Sequence, residues 1–163
     1  MSILKVLLGE RDGVEYDTPT EINLAEAIVL AGVNALKYYH SSSSTNVTIN
    51  TTTFTSDSLS FTPEAGTYLA IYSAETSHAV SGVDNRGEVA IQVAGSTVAN
   101  STREFGMTMA GISLASSAAR ATPVSVCVLT VNGSQLVRSV VREVTGSNIT
   151  VGSRSLTLIR IGV

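Results

Sequence analysis

Thr67-Tyr68-Leu69-Ala70-Ile71-Tyr72-Ser73-Ala74-Glu75 is the run on which the fold turns. Successive side chains of a strand point to opposite sides. Tyr68, Ala70 and Tyr72 therefore share one face and Leu69 and Ile71 the other, so both faces of this strand read as covered. The same period of two recurs on either side. Asn46 to Phe54 sets Val47 and Ile49 against Thr48 and Asn50, Glu88 to Ala94 places Val89, Ile91 and Val93 on one side, and Arg103 to Met109 does so with Phe105, Met107 and Met109. Gly, Asn, Asp and Pro punctuate these runs, and many short strands of this kind build a sandwich or a barrel.

Farther along, Val124 to Val131 and Gln135 to Val144 flank Asn132-Gly133. That dipeptide readily takes the positive φ angles of a two-residue turn, so a β-hairpin is expected there. Ile149-Thr150-Val151 and then Ser155 to Ile161 read as the closing strand, and Asp84-Asn85-Arg86-Gly87 as a plain turn. The polar run Ser41-Ser42-Ser43-Ser44-Thr45-Asn46 reads as a linker or exposed loop, dividing an N-terminal arm, 1–44, from a β domain, 45–163. Within the arm Ile3 to Leu8 has the look of a short strand. Thr20 can cap a helix over 21–37, with Leu24, Ala27, Ile28, Ala31 and Ala35 at helical spacing.

Composition narrows the function classes. A chain of 163 residues fits one β domain. Hydrophobic residues make up 44% and charged residues 14%, well under the roughly 25% usual for soluble proteins. Hydroxyls of Ser and Thr must carry much of the surface hydration. With two lysines, Lys5 and Lys37, and a pI near 5.3, no basic stripe exists to release counterions, so nucleic acid is a poor partner. The apolar stretch from Ile22 to Leu36 is broken by Asn23, Glu26 and Asn34 and is shorter than the roughly 20 residues that span a bilayer. No membrane anchor is expected, and Met1 to Leu8 is too short an apolar run for a signal peptide.

The chemistry-bearing residues are sparse. Cys127, the single cysteine, sits inside an apolar run with no His or Lys beside it and reads as a buried core thiol. His40 and His78 have no second ligand at metal spacing. Glu64 and Glu75 flank one strand but read as solvated carboxylates rather than a glycosidase pair. No phosphate cradle and no nucleophile elbow occurs. The expectation is a protein with no catalytic, cofactor-binding or metal-binding residues.

Phe54 is followed seven residues later by Phe61, then by Thr62-Pro63-Glu64-Ala65-Gly66-Thr67-Tyr68-Leu69-Ala70-Ile71-Tyr72. This resembles the complement and tumour-necrosis-factor-like jelly roll, in which two aromatics seven apart precede Gly-x-Tyr-x-Phe-x-Tyr. The stretch from Phe61 to Gly66 is one residue short of that pattern, and Ala70 stands in place of the Phe. Arg154 to Arg160 is similar to the closing strand of the same superfamily. The resemblance covers about 45–163 and implies an all-β jelly-roll β-sandwich that assembles as a homotrimer, with Tyr68, Tyr72 and Leu158 at the trimer interface.

Among such jelly rolls, a chain rich in Ser, Thr, Ala, Val and Gly is similar to bacteriophage capsid decoration, or cement, proteins. That implies a structural virion protein made in the host cytoplasm and sited on the capsid surface, with its own copies and the major capsid protein as partners. Such proteins use N-terminal residues for the capsid contact, which falls here on Ile3, Leu4, Val6 and Leu7. The alternative is a trimeric receptor-binding knob or a head or tail fibre domain. It would present Ser81 to Gly87 or Ala94 to Thr102 to a glycan, although these loops hold no aromatic platform.

Overall fold

A computed structural model describes residues 37–78, 84–108, 119–145 and 148–162. Among these residues the regular structure is β throughout. The strands in chain order are β1 (Tyr38–Ser43), β2 (Val47–Ile49), β3 (Thr55–Phe61), β4 (Gly66–His78), β5 (Asp84–Val93) and β6 (Ser96–Thr97). They continue as β7 (Arg103–Thr108), β8 (Ala119–Ala121), β9 (Val124–Val131), β10 (Val137–Glu143) and β11 (Ile149–Gly162). All pairings are antiparallel and fall into two sheets. One sheet runs β1-β11-β4-β8, with β2 also on β11 and β9 also on β4. The other runs β3-β10-β5-β6, with β7 also on β5. The fold is a β-sandwich.

The inward phase of each strand fills the space between the sheets. From β4 come Tyr68, Ala70, Tyr72 and Ala74, from β9 Cys127, Leu129 and Val131, from β11 Leu156 and Leu158, and from the facing sheet Leu59, Val89, Ile91, Val137 and Val141. At one end of the core the Tyr39 ring packs on Phe61 at 5.7 Å and on Tyr68 at 6.0 Å. The Tyr68 hydroxyl donates to the Glu64 carbonyl at 3.0 Å, pinning the turn before β4.

A charged group crosses this core. Between Ser56 and Ser60 the three residues of β3 stand opposite the single Ser139 of β10, a bulge at which Ser58 has φ 79°. Bulges re-aim side chains, and here Asp57, fully buried, points between the sheets. Its carboxylate accepts from the Tyr72 hydroxyl at 2.6 Å, from the Ser139 hydroxyl and from the Leu59 amide, and Arg154 Nε lies 3.6 Å away. Arg154 also donates to the carbonyls of Asp57 at 2.9 Å, Thr45 at 2.6 Å and Gly152 at 2.9 Å, and to Ser58 Oγ at 3.1 Å. β3 and β10 lie in one sheet and β4 and β11 in the other, so the cluster clamps the two together.

Four sequence expectations change. The Ser41 run is not a loop throughout: Tyr38–Ser43 is β1, paired along β11 from Ile159 to Arg154, and the compact unit begins at Tyr38. Exposed serines suit an edge strand whose outer rows face water. Val124 to Val144 is no hairpin either, because β9 pairs with β4 while β10 lies between β3 and β5. Asn132-Gly133 does turn, with Gly133 at φ 92° and the Ser134 amide on Asn132 Oδ1 at 3.1 Å, but the chain crosses from sheet to sheet there. Positive φ fixes a reversal without choosing a strand's partner. Leu129 and Val137 need opposite walls of one core, and that need decides.

Asp84-Asn85-Arg86-Gly87 opens β5 and is not a turn. Gly87 is required for closeness: a Cβ there would lie 2.6 Å from Phe105 Cζ and nearer still to Ile149 Cδ1. Finally, Tyr68, Tyr72 and Leu158 are wholly inside the core. The helix expected over 21–37, save Lys37, and the arm residues Ile3, Leu4, Val6 and Leu7 lie outside the described residues.

Removing one partner of a buried ion pair strands the other charge, which costs about 3–5 kcal/mol. Arg154→Met is therefore expected to lower the urea unfolding free energy by about that amount, and Tyr72→Phe by about 1–3 kcal/mol for one lost bond to a buried acid. A change below about 1 kcal/mol in Arg154→Met would mean that the clamp does not hold the sheets.

Candidate interaction face

The outward phase of the β1-β11-β4-β9 sheet is unusual. Across the β4–β9 ladder Leu69 stands beside Val128, Ile71 beside Val126 and Ser73 beside Val124. On the other flank Ile159 of β11 pairs with Leu69, and Tyr38 of β1 with Ile159. Tyr38 is 67% exposed, Val128 57%, Val124 48% and Val126 42%. Three valines in alternate positions of one strand, flanked by Leu, Ile and Tyr, form a continuous apolar surface rather than scattered single residues. A contiguous apolar patch of that kind marks an interaction site.

The opposite sheet treats its outer face differently. Along β10 the outward row is Arg138, Val140 and Arg142, paired with Gln92, Ala90 and Glu88 of β5. Arg138 donates twice to Gln92 Oε1, at 3.1 and 2.8 Å, and Arg142 meets Glu88 Oε2 at 2.6 Å with its guanidinium 4.5 Å above the Phe54 ring. Arg86 lies 3.5 Å from Glu104. Beneath these long side chains Val140 and Ala90 are fully buried, since arginine stems cover apolar surface while their heads stay in water. This sheet hides its own outward apolar residues. The other leaves its outward residues bare.

Along β4 the outward row runs Leu69, Ile71, Ser73, Glu75, Ser77, so the bare face changes from apolar to polar. At its polar end a groove of about 320 Å³ is lined by Asn46, Glu75, Ser77, Arg120, Thr122 and Thr150, among others. Arg120 on β8 stands opposite Ser77, one step diagonally from Glu75. Neither the Glu75 carboxylate nor the Arg120 guanidinium has a hydrogen bond or ion pair among the described residues.

The residues expected at a trimer interface belong to the core of the single chain. Tyr68, Tyr72 and Leu158 point inward, while Leu69, Ile71 and Ile159, one position along, face out. A period of two alone cannot say which phase faces inward, and the large aromatic side chains of β4 belong to the inward one. Alternate Val124, Val126 and Val128 were a readable signal for an uncovered strand face.

Reactive chemistry is muted. Cys127 lies in the core, where burial pushes its thiol pKa up and nearby Arg103 only partly opposes the shift. Burial, and then the Asp57 charge, raise the Tyr72 phenol far above its usual range. His40 Nδ1 lies 2.9 Å from Thr157 Oγ1 on the outer face. Among the described residues no group of three His, Cys, Asp or Glu could hold a metal ion, and no helix is long and apolar enough to cross a membrane.

No protein-family model and no curated protein matches the sequence. Among solved structures, dimeric latent PorU from Porphyromonas gingivalis is similar at 13% identity over 76% of this chain and 13% of its own, with a TM-score of 0.43. The insecticidal delta-endotoxin Cry8Ea1 from Bacillus thuringiensis is similar at 14% identity over 64% of this chain and 19% of its own, with a TM-score of 0.34. This chain thus spans a small part of either, and both likenesses are too slight to carry function.

Among the described residues, buried side-chain polar atoms without a hydrogen-bond partner occur on His78 and on Glu143. His78, at the end of β4, is 1% exposed and both its ring nitrogens lack hydrogen bonds. Its ring stands edge-on to Phe105 at 5.4 Å. Desolvation lowers its pKa below the ordinary 6.5. Below that value the unfolded chain takes up a proton that the native state refuses. Stability from this site is therefore complete above about pH 6.5 and declines as pH falls toward the native value. Thermal unfolding followed between pH 7.5 and 5 should show that decline in the natural chain and a flatter profile in His78→Leu. Parallel profiles would contradict it.

Proposed function

We propose that the chain is a structural, non-catalytic module that assembles with its own copies, as a homotrimer, through the outer face of the β1-β11-β4-β9 sheet. The observation that carries this is the bare valine row of β9 beside Leu69, Ile71 and Ile159. Each valine taken fully out of water contributes about 1.5–3 kcal/mol, and every copy brings the whole row.

The finer fold reading is a jelly roll, and the strand order supports it. With β1/β2 and β8/β9 each counted as one interrupted strand and the two-residue β6 set aside, eight strands form two sheets of four. The orders are β1/β2-β11-β4-β8/β9 and β3-β10-β5-β7, with the first and last strands neighbours in one sheet. Two wound Greek keys produce that arrangement.

We assign the trimer to the outer shell of a bacteriophage capsid, as a decoration protein that stabilises it. The support here is the resemblance in sequence and the under-charged, hydroxyl-rich composition, together with the apolar residues Ile3, Leu4, Val6 and Leu7 in the N-terminal sequence, where such proteins make their capsid contact. Stabilisation would come from several modest contacts per trimer acting through effective concentration.

Sedimentation equilibrium should return three times 16.9 kDa for the natural chain. Val126→Lys and Val128→Glu, both at exposed positions, should return the monomer mass with an unchanged β circular-dichroism spectrum. A natural chain that stays monomeric at high concentration would overturn the reading. Capsids carrying the protein should also survive heating to a higher temperature than bare ones. Equal survival would remove the shell assignment and leave the trimer standing.

A further inference from the structure

We infer that Arg120 of each copy pairs with Glu75 of its neighbour, and that this pair sets the direction in which copies assemble. The inference rests on the self-association proposed above.

Three observations meet here. Both groups sit on the bare sheet face and line one groove, and both lack a partner among the described residues. On the opposite sheet, by contrast, Arg86, Arg138 and Arg142 are all engaged by acceptors of their own chain. A guanidinium and a carboxylate left open on the same face are complementary to a second copy of that face. Guanidinium–carboxylate hydrogen bonds are also stronger than neutral ones and, when bidentate, fix geometry.

Geometry then selects the arrangement. Glu75 lies on the central strand β4 and Arg120 on the edge strand β8, both beyond the polar end of the apolar row. Rotation about an axis running along the strands keeps every residue at its own height. The edge of one copy then meets the centre of the next, with Val124 to Val128 on apolar surface and Arg120 near Glu75. An inverted copy would lay Glu75 and Arg120 on the Leu69–Val128 end, where each charge would be desolvated without a counterion. The pair thus favours copies that run in the same direction about an axis along the strands, the arrangement a trimer needs, over an inverted dimer.

The test is a charge-swap cycle in the full chain, read by sedimentation velocity as a dissociation constant at low and high salt. Glu75→Arg and Arg120→Glu should each weaken association by about tenfold or more. The double variant should return to within a few-fold of the natural chain. Association at natural strength in both singles, or a double variant as weak as the two singles combined, would overturn the inference. If that happens while Val126→Lys still yields monomers, the pairing alone has failed. A natural chain that never associates removes both ideas. A contact confined to one copy would instead move the melting temperature of dissociated chains and leave the dissociation constant unchanged.

Discussion

A strand turns successive side chains to opposite sides, and in the β4, β9 and β11 ladder both sides are apolar. One core can absorb only one of them. Tyr68, Tyr72, Leu129 and Leu158 take it, which leaves Leu69, Ile71, Ile159 and the three β9 valines outside. The facing sheet solves the same problem with arginine stems folded over Val140 and Ala90. Charged residues are only 14% of the chain, and those described on a sheet face gather mainly on that second sheet. The scarcity of charge thus has a location, and the location is the surface on which copies are proposed to meet.

The buried clamp gives that surface a fixed geometry. Asp57 reaches the core through the β3 bulge and is met by groups from both sheets, so β11 has one register over β3. Well-satisfied ion pairs of this sort are weak as net stabilisers, because desolvation consumes most of the attraction. Their effect is to make alternative placements costly. A slip of β11 by one residue would bury Thr157 and Ile159 and expel Leu156 and Leu158. It would also strand Asp57 without Arg154. The order of the outward row from apolar to polar depends on that register being held.

Much of this was legible in the residues. The strand Thr67 to Glu75, the closing strand and the two-sheet architecture follow from a period of two and from turn residues, whereas the expectation that both faces of Thr67 to Glu75 are covered holds only for the Tyr68–Tyr72 face. What failed did so because local signals fix local geometry and leave partners open. Asn132-Gly133 specifies a reversal, but membership of different sheets is decided by Leu129 and Val137 each filling the core from its own sheet. Gly87 looks like a turn residue and is instead a space left for Phe105 and Ile149. In the clamp Asp57 meets Tyr72, Ser139 and Arg154, which lie 15, 82 and 97 positions away, far beyond any motif. Tyr68, Tyr72 and Leu158, expected at an interface between copies, are large apolar side chains of the inward phase and fill the interior.

Self-association through this sheet requires the β9 valine row to be covered in the working protein. Covalent footprinting with a photo-generated carbene, read residue by residue at working concentration, measures this directly. Val124, Val126 and Val128 are predicted to be as protected as the core residues Val131 and Val137, while exposed groups away from the face label freely. Labelling of the three valines at the level their exposure in a single chain implies, unchanged by dilution, would contradict it.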